Sequence, residues 1–436
     1  MRFKDFMFPS RRSPVVARHG LVATSQPLAA QAGLDVLKAG GNAIDAAIAT
    51  VATLCVTEPC STGVGGDAFA LIWSAEDERL FGLNASGPAP MALTADLVRG
   101  RGYLTFPTHG GLPVTVPGAV RGWQLALERF GTMGLDRLLA QPIDYARNGF
   151  PVSPTIAQAW NNSTGLLARL PDSQRVWLPV GRAPRMGELF RNPEFAGTLQ
   201  ALAERGYDAL YRGDIAAQIA AAVRADGGVM TEEDLAGYLA EWVEPIAIDY
   251  KDGYAFHEIP PNGQGLAALL ALNIARGFDL RHMAYGSADY YHVLIEAMKL
   301  GFADAHAYIA DPRQAAVPVE GLLSQRYTRE RRALIDGETA LWPEPGKPDG
   351  HGDTVYLTVA DKAGNMVSWI QSLYMGFGSG ITAGRTGIQL QNRGANFSLT
   401  AGHPNEVAPG KRPYHTIIPG FITRDGRPWT SFGVMG

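Results

Sequence analysis

Cysteine is almost absent from this sequence of 436 residues, which contains only Cys55 and Cys60. Two cysteines cannot form the disulfide framework that holds small secreted domains together. Long apolar runs are absent as well, because the longest one, Ala46 to Val56, is too short to cross a bilayer. That run predicts a buried helix, in which Cys55 behaves as a small apolar side chain.

The sequence also lacks a marked excess of charge of either sign. Its formal net charge is −4, so it has no electrostatic footprint for nucleic acid or for an anionic membrane. The hydrophobic share of 46% is enough for a large core and excludes a disordered chain. The first residues, "MRFKDFMFPSRRSP", carry charges and proline where a secretory signal has an apolar segment. We therefore expect a cytoplasmic protein without nucleic-acid or membrane partners.

Two helices are predicted near the N-terminus. In "SQPLAAQAGLDVLKAGG", Ser25 is placed to cap the first turn, and Gly40-Gly41 ends the helix. Asn42 is placed to cap the next helix, with Asp45 three residues later in a capping-box position. The second helix is apolar on nearly every side, so both of its sides should be covered.

The remaining pattern is helical in the middle of the chain and strand-like at its end. A glycine-rich turn in "STGVGGDAFALIW" leads into a strand, and the spacing from about Pro117 to Asp311 is mostly helical. Three prolines and three glycines mark 343–352 as a linker. The strands predicted after it span 354–360, 366–374, 387–391, 415–423 and 428–434. Sheets packed together and covered by helices follow from this order, in an α/β (α+β) fold.

The first strand after the linker begins with a threonine, in "DGHGDTVYLTVA" (349–360). A turn at Asp361–Asn365 then joins it to "MVSWIQSLY". If this hairpin is regular, Thr354 lies opposite Ser372 on the same face of the sheet. Two hydroxyl groups would then meet at the open end of the hairpin.

A threonine hydroxyl is a weak nucleophile unless a base lies beside it. When the threonine is the first residue of a chain, its own α-amino group, with a pKa of about 7.7–8.0, serves as that base. Thr354 reaches this position if the chain is cut between Asp353 and Thr354. Thr354 can make the cut by attacking the carbonyl of Asp353, which gives an ester that water hydrolyses.

Motifs along the chain, in the same order, resemble the γ-glutamyltransferase family of N-terminal-nucleophile hydrolases. They extend from about residue 20 to the last residue: "SQPLAAQAGLDVLKAGGNAIDAAIA", "EPCSTGVGGDAF", "TVPGAVRGW", "YARNGFPVS", "IPPNGQG", "EAMKLGFADAHAYIADP", "GDTVYLTVADKAGNMVSWIQS", "FGSGI" and "KRP". The resemblance implies a four-layer αββα sandwich and a proenzyme that cuts itself before Thr354. It also implies that the hydroxyl of Ser372 tunes the nucleophile.

The same resemblance identifies the substrate-binding positions, and several of them differ from the family pattern. Ser86 stands where the family has an arginine that holds the glutamyl α-carboxylate. Asn396 stands at the acidic anchor for the α-amino group, and Arg393 replaces a glutamine. His415 and Thr416 replace a pair of serines. Losing the arginine removes a bidentate grip on a carboxylate, which Arg393 could supply from another side of the pocket.

The resemblance further implies two pieces of one proenzyme, 1–353 and 354–436, that form one intertwined domain. Tyr374 is a further substrate-binding candidate, and Gly436 would supply the first of two successive glycine amides of an oxyanion hole. The resemblance implies a hydrolase or acyltransferase that acts on γ-glutamyl compounds such as glutathione, with an amine or peptide as acceptor. Divergent members hydrolyse oxamate or the acyl side chains of β-lactams. No cofactor or metal is expected, and a homodimer is compatible with the family.

Three other interpretations come from the residues alone. Asp349, His351 and Asp353 could form a metal site, since carboxylate and imidazole suit divalent ions. The segment "GVGGD" could be a phosphate loop, although it lacks both the third glycine of a dinucleotide fingerprint and the lysine of a P-loop. A chain that never matures could be a binding protein without catalytic activity.

Overall fold

The computed structural model describes residues 13–343 and 353–434, and twelve strands and seventeen α-helices are found there. The strands are β1 (Gly20–Thr24), β2 (Asp67–Ser74), β3 (Arg79–Ala85), β4 (Phe150–Pro151), β5 (Leu189–Phe190), β6 (Glu241–Val243), β7 (Ile246–Asp249), β8 (Tyr254–Glu258), β9 (Asp353–Asp361), β10 (Met366–Tyr374), β11 (Gly420–Arg424) and β12 (Arg427–Phe432).

The helices up to the middle of the chain are α1 (Pro27–Lys38), α2 (Ala43–Thr57), α3 (Ala95–Gly100), α4 (Ala119–Phe130), α5 (Leu135–Leu138), α6 (Ala140–Asn148), α7 (Pro154–Asn162), α8 (Thr164–Leu167), α9 (Pro171–Trp177), α10 (Pro193–Arg205), α11 (Asp208–Tyr211), α12 (Asp214–Ala225) and α13 (Glu232–Ala236). The later helices are α14 (Gly265–Ala275), α15 (Ala288–Tyr308), α16 (Val319–Leu323) and α17 (Gln325–Arg332). Short 3₁₀ turns cover Lys251–Gly253 and Arg393–Asn396.

Two antiparallel sheets form the centre of the fold. The larger one has the strand order β1-β9-β10-β2-β3-β6, and the smaller one has the order β12-β11-β8-β7. Strands β4 and β5 form a separate short pair. The hairpin of β9 and β10 therefore lies in the middle of the larger sheet, between β1 and β2, although it comes from the last quarter of the chain.

The two sheets pack against each other through one apolar layer. Phe69, Leu71 and Trp73 alternate along β2 and meet Ile370 from β10 and Phe421 from β11. This spacing of two places their side chains on a single face of the strand. The residues between them, such as Ala70, belong to the core on the opposite face, so β2 is buried on both sides.

Helices form the two outer layers. Helix α2 packs on β9 and β10 from the outer side of the larger sheet, with α1 beside it. Helix α14 packs on β7 and β8, and α15 packs on α14. The predicted four-layer αββα sandwich is thus confirmed. No helix in the two described ranges combines the length and the apolar character needed to cross a membrane.

The local predictions for α1 and α2 have different outcomes. The capping box is confirmed, because the Asn42 side chain accepts from the backbone N–H of Asp45 while the Asp45 carboxylate accepts from that of Asn42. Every residue of α2 is buried, as the apolar run predicted. The predicted cap at Ser25 is wrong: α1 has no side-chain cap, and the Ser25 hydroxyl instead donates to Glu58 at 2.5 Å.

Two predicted strands near the C-terminus are also shorter or absent. Residues 387–391 contribute isolated bridges only, at Gln389 and Leu390. The strand expected at 415–423 begins at Gly420, because the backbone of His415 pairs instead with Asn262 and Gln264. These segments turn inward and form part of the site described below.

Candidate active site

The hairpin of β9 and β10 carries the predicted nucleophile. Ala360 lies opposite Met366 and Val355 opposite Gln371, which confirms the predicted register along most of the hairpin. The register then shifts by one residue, and Asp353 pairs with Tyr374. This β-bulge at the open end of the hairpin was not predicted, and Tyr374 adopts a positive φ of 83° there.

The two hydroxyl groups still meet despite the bulge. Thr354 Oγ1 donates to Ser372 Oγ at 3.1 Å, as predicted from the face of the strand. Ser372 Oγ also accepts from the backbone N–H of Tyr374 at 2.7 Å and from Arg393 Nη2 at 3.1 Å. Ser372 is fully buried, so these donors hold its hydroxyl in one place next to Thr354.

Arg393 is the cation of the site. The side chain is 0% exposed, which shows that it is not a surface ion pair. Arg393 Nη1 donates to Thr416 Oγ1 at 2.7 Å, and the guanidinium carbon lies 4.4 Å from the centre of the Tyr374 ring. Burial lowers the pKa of Arg393 to about 10, against the opposing effects of Asp67 and Tyr374, so the group remains charged at neutral pH.

Asp67, the first residue of β2, lies in the same buried network and was missed by the sequence analysis. Its Oδ1 accepts from the backbone N–H of Gly87 and from Gln391 Nε2, each at 2.9 Å, and its Oδ2 lies 3.2 Å from His415 Nε2. Burial raises the pKa of Asp67 to about 7, although the charge of Arg393 and these hydrogen bonds lower it. The only signal in the sequence was an acid directly after the glycines of "GVGGD".

His415 is held against Asp67. Its imidazole is fully buried, and burial, together with the charges of Arg393 and Arg412, keeps its pKa well below the ordinary value. The ring is therefore neutral, and Nε2–H is the donor to Asp67. The Phe69 ring centre lies 4.7 Å away. Of the two residues predicted to bind substrate here, His415 contacts Asp67, whereas Thr416 contacts Arg393.

Ser86 does not take the place of a missing arginine. It is fully buried, and its hydroxyl donates to Asn84 Oδ1 at 2.7 Å and accepts from Asn262 Nδ2 at 3.2 Å. The adjacent residue, Gly87, donates its backbone N–H to Asp67. Ser86 thus belongs to the wall of the network, where a neutral hydroxyl is fully satisfied.

Asn396 ends the 3₁₀ turn that begins with Arg393. Its carbonyl oxygen accepts from Asn405 Nδ2 at 2.7 Å. Its own Nδ2 is buried and has no hydrogen-bond partner among the described residues. A buried donor without a partner is costly, so this amide is available for an acceptor on a ligand.

Two of the three glycines of "GVGGD", Gly65 and Gly66, are required by close packing. A Cβ atom on Gly66 would lie 2.2 Å from the carbonyl oxygen of Ser372, and one on Gly65 would lie 2.1 Å from that of Gln389. The Gly66 carbonyl in turn accepts the backbone N–H groups of Gly118 and Ala119. The loop therefore packs tightly against the hairpin that carries the predicted nucleophile, Thr354.

Some of the predictions lie outside the described residues. These are Gly436, the side chain of Asp353, and the Asp349 and His351 of the alternative metal site. Among the residues that are described, no group of three or more His, Cys, Asp or Glu side chains could hold a metal ion.

An αββα sandwich with a threonine near the start of a central strand, as Thr354 is in β9, is the architecture of the N-terminal-nucleophile hydrolases. A cephalosporin acylase from Bacillus halodurans superimposes with a TM-score of 0.92 and 51% sequence identity, over 100% of this chain and 81% of the acylase.

The sequence model of the Gamma-glutamyltranspeptidase family matches residues 29–436, and the chain belongs to that family. The "Glutathione hydrolase-like YwrD proenzyme" of Bacillus subtilis is 40% identical over 97% of this chain and 79% of its own length. The "Oxamate amidohydrolase proenzyme" of Klebsiella pneumoniae is 38% identical over 97% of this chain and 79% of its own length.

Proposed function

We propose that the chain is a self-processing amidohydrolase that carries the acyl group of a small amide on Thr354. The observation that supports this most directly is the 3.1 Å contact between Thr354 Oγ1 and Ser372 Oγ at the open end of the hairpin. Relatives described as proenzymes, such as the glutathione hydrolase-like protein of Bacillus subtilis, support the processing step. Cleavage after Asp353 then gives the pieces 1–353 and 354–436.

The two reactions use the same hydroxyl. In processing, Thr354 Oγ1 attacks the carbonyl carbon of Asp353, the peptide C–N bond breaks, and the resulting ester is hydrolysed by water. In turnover, the freed α-amino group of Thr354 takes the hydroxyl proton and later returns it to the leaving amine. The acyl–Thr354 ester is then hydrolysed by water or transferred to an amine or peptide acceptor. Gly436 as an oxyanion-hole donor remains a prediction.

The substrate class follows from the charges of the network. Arg393 is a buried cation, and it donates to the same Ser372 hydroxyl that accepts from Thr354. A carboxylate on the acyl group would compensate the charge of Arg393. A γ-glutamyl amide carries such a carboxylate, and so does oxamate. We therefore propose an amide with an acidic acyl group, and γ-glutamyl compounds such as glutathione as the first to test.

A different small amide is the second candidate, and Asn396 is the observation that favours it. A γ-glutamyl group also carries an ammonium, which is best held by an acid. Asn396 offers an uncharged amide nitrogen that no described residue contacts by a hydrogen bond, and the carboxylate of Asp67 already accepts three hydrogen bonds. Acyl groups that have a carboxylate but no ammonium would suit these residues better. The oxamate amidohydrolase and the cephalosporin acylase among the relatives are compatible with this second candidate.

Processing is tested by replacing the nucleophile. The full chain should give two bands on a denaturing gel, and Thr354→Ala should give one. Thr358→Ala is the matched control, because Thr358 lies on the same strand and its hydroxyl contacts Ser431 instead. If Thr354→Ala is cut as fully as the control, the threonine is not the processing group. If neither the native chain nor the control is cut, the interpretation as an unprocessed binding protein gains support.

The substrate class is tested with three anilides of equal chain length. The γ-glutamyl anilide has both the carboxylate and the ammonium, the glutaryl anilide has the carboxylate alone, and the valeryl anilide has neither. We expect both acidic anilides to be cleaved faster than the valeryl anilide, and oxamate should be measured beside them. A preference for the valeryl anilide would contradict carboxylate recognition. The ratio of the two acidic anilides distinguishes the first candidate from the second.

A further inference from the structure

One cavity is lined by residues that take no part in the site around Thr354, and three segments of the chain meet there. Its volume is about 390 Å³, smaller than that of a groove of about 490 Å³ on α15. The smaller cavity is formed by the segment after β7, the end of α14 and one face of α17. Its lining residues are Tyr250, Lys251, Arg276, Gly277, Gln325, Thr328, Arg329 and Arg332.

Four of the lining side chains are cationic: Lys251, Arg276, Arg329 and Arg332. In the parts of the chain that the structure describes, none of the four forms an ion pair with a carboxylate. The neighbouring acids have other partners, since Asp252 pairs with Arg281, Glu330 pairs with Arg326, and Asp304 pairs with Arg331. The backbone carbonyl of Asp249 accepts a hydrogen bond from Arg276.

Helix α17 separates its arginines into two groups. Arg326 and Arg331 are paired with acids and do not line the cavity, whereas Arg329 and Arg332 line it without such a partner. Burial lowers the pKa of Arg332, and the positive charges of Arg276 and Arg329 lower it further. Cations gathered in this way repel one another, and a bound anion would relieve the repulsion.

The surrounding backbone holds the Arg332 guanidinium in one position. Arg332 Nε donates to the carbonyl of Ile274 at 2.9 Å, and Nη2 donates to that of Asn273 at 2.8 Å. Gly277 makes room for this guanidinium, because a Cβ atom there would lie 1.9 Å from Arg332 Cζ. Arg332 is thus fixed by neutral carbonyl groups, which leave its charge uncompensated.

Thr328 supplies an independent sign of a ligand. It is 2% exposed and lines the cavity, and its hydroxyl has no hydrogen-bond partner among the described residues. A buried hydroxyl without a partner costs free energy that a ligand acceptor would recover. An oxyanion in the cavity could accept from this hydroxyl and from the surrounding guanidinium groups together.

We propose that this cavity binds a phosphoryl group, as free phosphate or as the end of a phosphate ester. The phosphoryl class fits because it carries about two negative charges and several acceptor oxygens, which guanidinium groups match in pairs. The proposal is independent of the reaction at Thr354.

Stabilisation of a helix end explains only part of the cluster. Arg332 and Arg276 lie at the C-terminal end of α14, where cations interact favourably with the helix dipole. Arg329 and Lys251 make no hydrogen bond to those carbonyls, yet they face the same cavity. A bound anion would explain why Arg329 and Lys251 lie there, whereas stabilisation of the helix end would not.

The test is the binding of inorganic pyrophosphate to the full chain, measured by isothermal titration calorimetry and by thermal unfolding at constant ionic strength. Arg329→Ala is the informative variant, because this side chain is exposed and none of the described residues forms an ion pair with it, so its loss should leave the fold intact. Arg326→Ala is the matched control on the same helix, outside the cavity. Thr328→Val tests the hydroxyl at nearly constant volume.

We expect saturable binding and a rise in Tm for the native chain and for Arg326→Ala, with affinity at least tenfold weaker in Arg329→Ala and weaker in Thr328→Val. Equal binding by Arg329→Ala and Arg326→Ala would overturn the proposal, and so would the absence of binding by the native chain. Parallel titrations with inorganic phosphate and phenyl phosphate distinguish free phosphate from an ester, because only an ester-binding site should prefer the second.

Discussion

Replacing Asp67 with asparagine should change how the stability of this protein depends on pH. Burial raises the pKa of this carboxyl group from 3.8 to about 7 in the folded chain. The folded state therefore holds the proton more tightly than the unfolded state between these two values. By linkage, the contribution of Asp67 to the free energy of unfolding is largest at low pH. It falls as the pH rises from about 4 to about 7, and it is constant above that.

The size of the effect follows from the same two values. At about 1.36 kcal/mol for each pKa unit, ionising Asp67 in the folded chain costs on the order of 4 kcal/mol. Asparagine has no such cost, and its oxygen can still accept from Gly87 and Gln391. The contact with His415 must change, because the new amide nitrogen is a donor, and Arg393 loses its favourable interaction with the Asp67 carboxylate. The variant should therefore gain stability relative to the parent as the pH rises.

The assay is urea unfolding at pH 5 and pH 8, with the Thr354→Ala substitution in every sample so that the chain stays uncut. We expect the stability of Asp67→Asn minus that of its parent to be more positive at pH 8 by a few kcal/mol. Groups that titrate in both proteins cancel in this difference. An identical difference at the two pH values would refute the reasoning, since Asp67 would then ionise at an ordinary pKa.

Asp311→Asn is the control for this experiment. Burial acts to raise the pKa of Asp311, but hydrogen bonds from Arg313 and from the backbone of Arg412 bring it below the ordinary value. A lowered folded-state pKa gives stability that is complete above the unfolded value and is lost only at lower pH. The Asp311→Asn variant should therefore be destabilised by the same amount at pH 5 and pH 8.

Three further predictions concern the residues around Thr354. Arg393→Met should raise KM for carboxylate-bearing amides by a factor equivalent to about 1.5–3 kcal/mol, the range for a hydrogen bond to a charged group. An uncharged amide should lose only the smaller contribution of the missing hydrogen bond to Ser372, and equal losses on both would contradict a role in carboxylate binding. Ser372→Ala should slow processing and turnover by a factor equivalent to about 0.5–1.5 kcal/mol or more, measured on gels and by initial rates, whereas Ser368→Ala, which removes a hydroxyl bonded to another side chain of the same hairpin, should slow neither. Gly66→Ala should lower the free energy of unfolding in urea by about 1–3 kcal/mol, because its Cβ would meet a carbonyl oxygen at 2.2 Å. Gly63→Ala, whose nearest contact would be 3.6 Å, should be close to neutral. Similar changes in both variants would show that the neighbouring backbone moves easily to remove the clash.

The features that were predictable from the sequence are those whose causes are local. The capping box of Asn42 and Asp45 needs residues three positions apart, and the hairpin register of β9 and β10 needs only a short turn. The contact between Thr354 and Ser372 follows from that register, so it too could be predicted. The wrong cap at Ser25 shows the limit, because Glu58, 33 positions away, competes for its hydroxyl.

The features that could not be predicted depend on distant parts of the chain. The place of Asp67 in the site depends on its hydrogen bonds with Gly87, Gln391 and His415, and no spacing rule connects these residues to it. The segment at 415–419 has the composition of a strand, but its backbone pairs with Asn262 and Gln264 instead of continuing β11. Burial of Arg393 was equally invisible, since an arginine in a polar segment is more often exposed.

The position of the hairpin in the larger sheet has a consequence for how the protein is made. Strands β9 and β10 fill the gap between β1 and β2, and they leave the ribosome long after both of those strands. Until then, β1 and β2 each present a row of backbone groups with no neighbour, across a gap two strands wide. Open strand edges of this kind are sites of mispairing and aggregation. The hairpin that carries the proposed nucleophile thus also closes the sheet, so that self-cleavage as proposed would require the centre of the sheet to be assembled first.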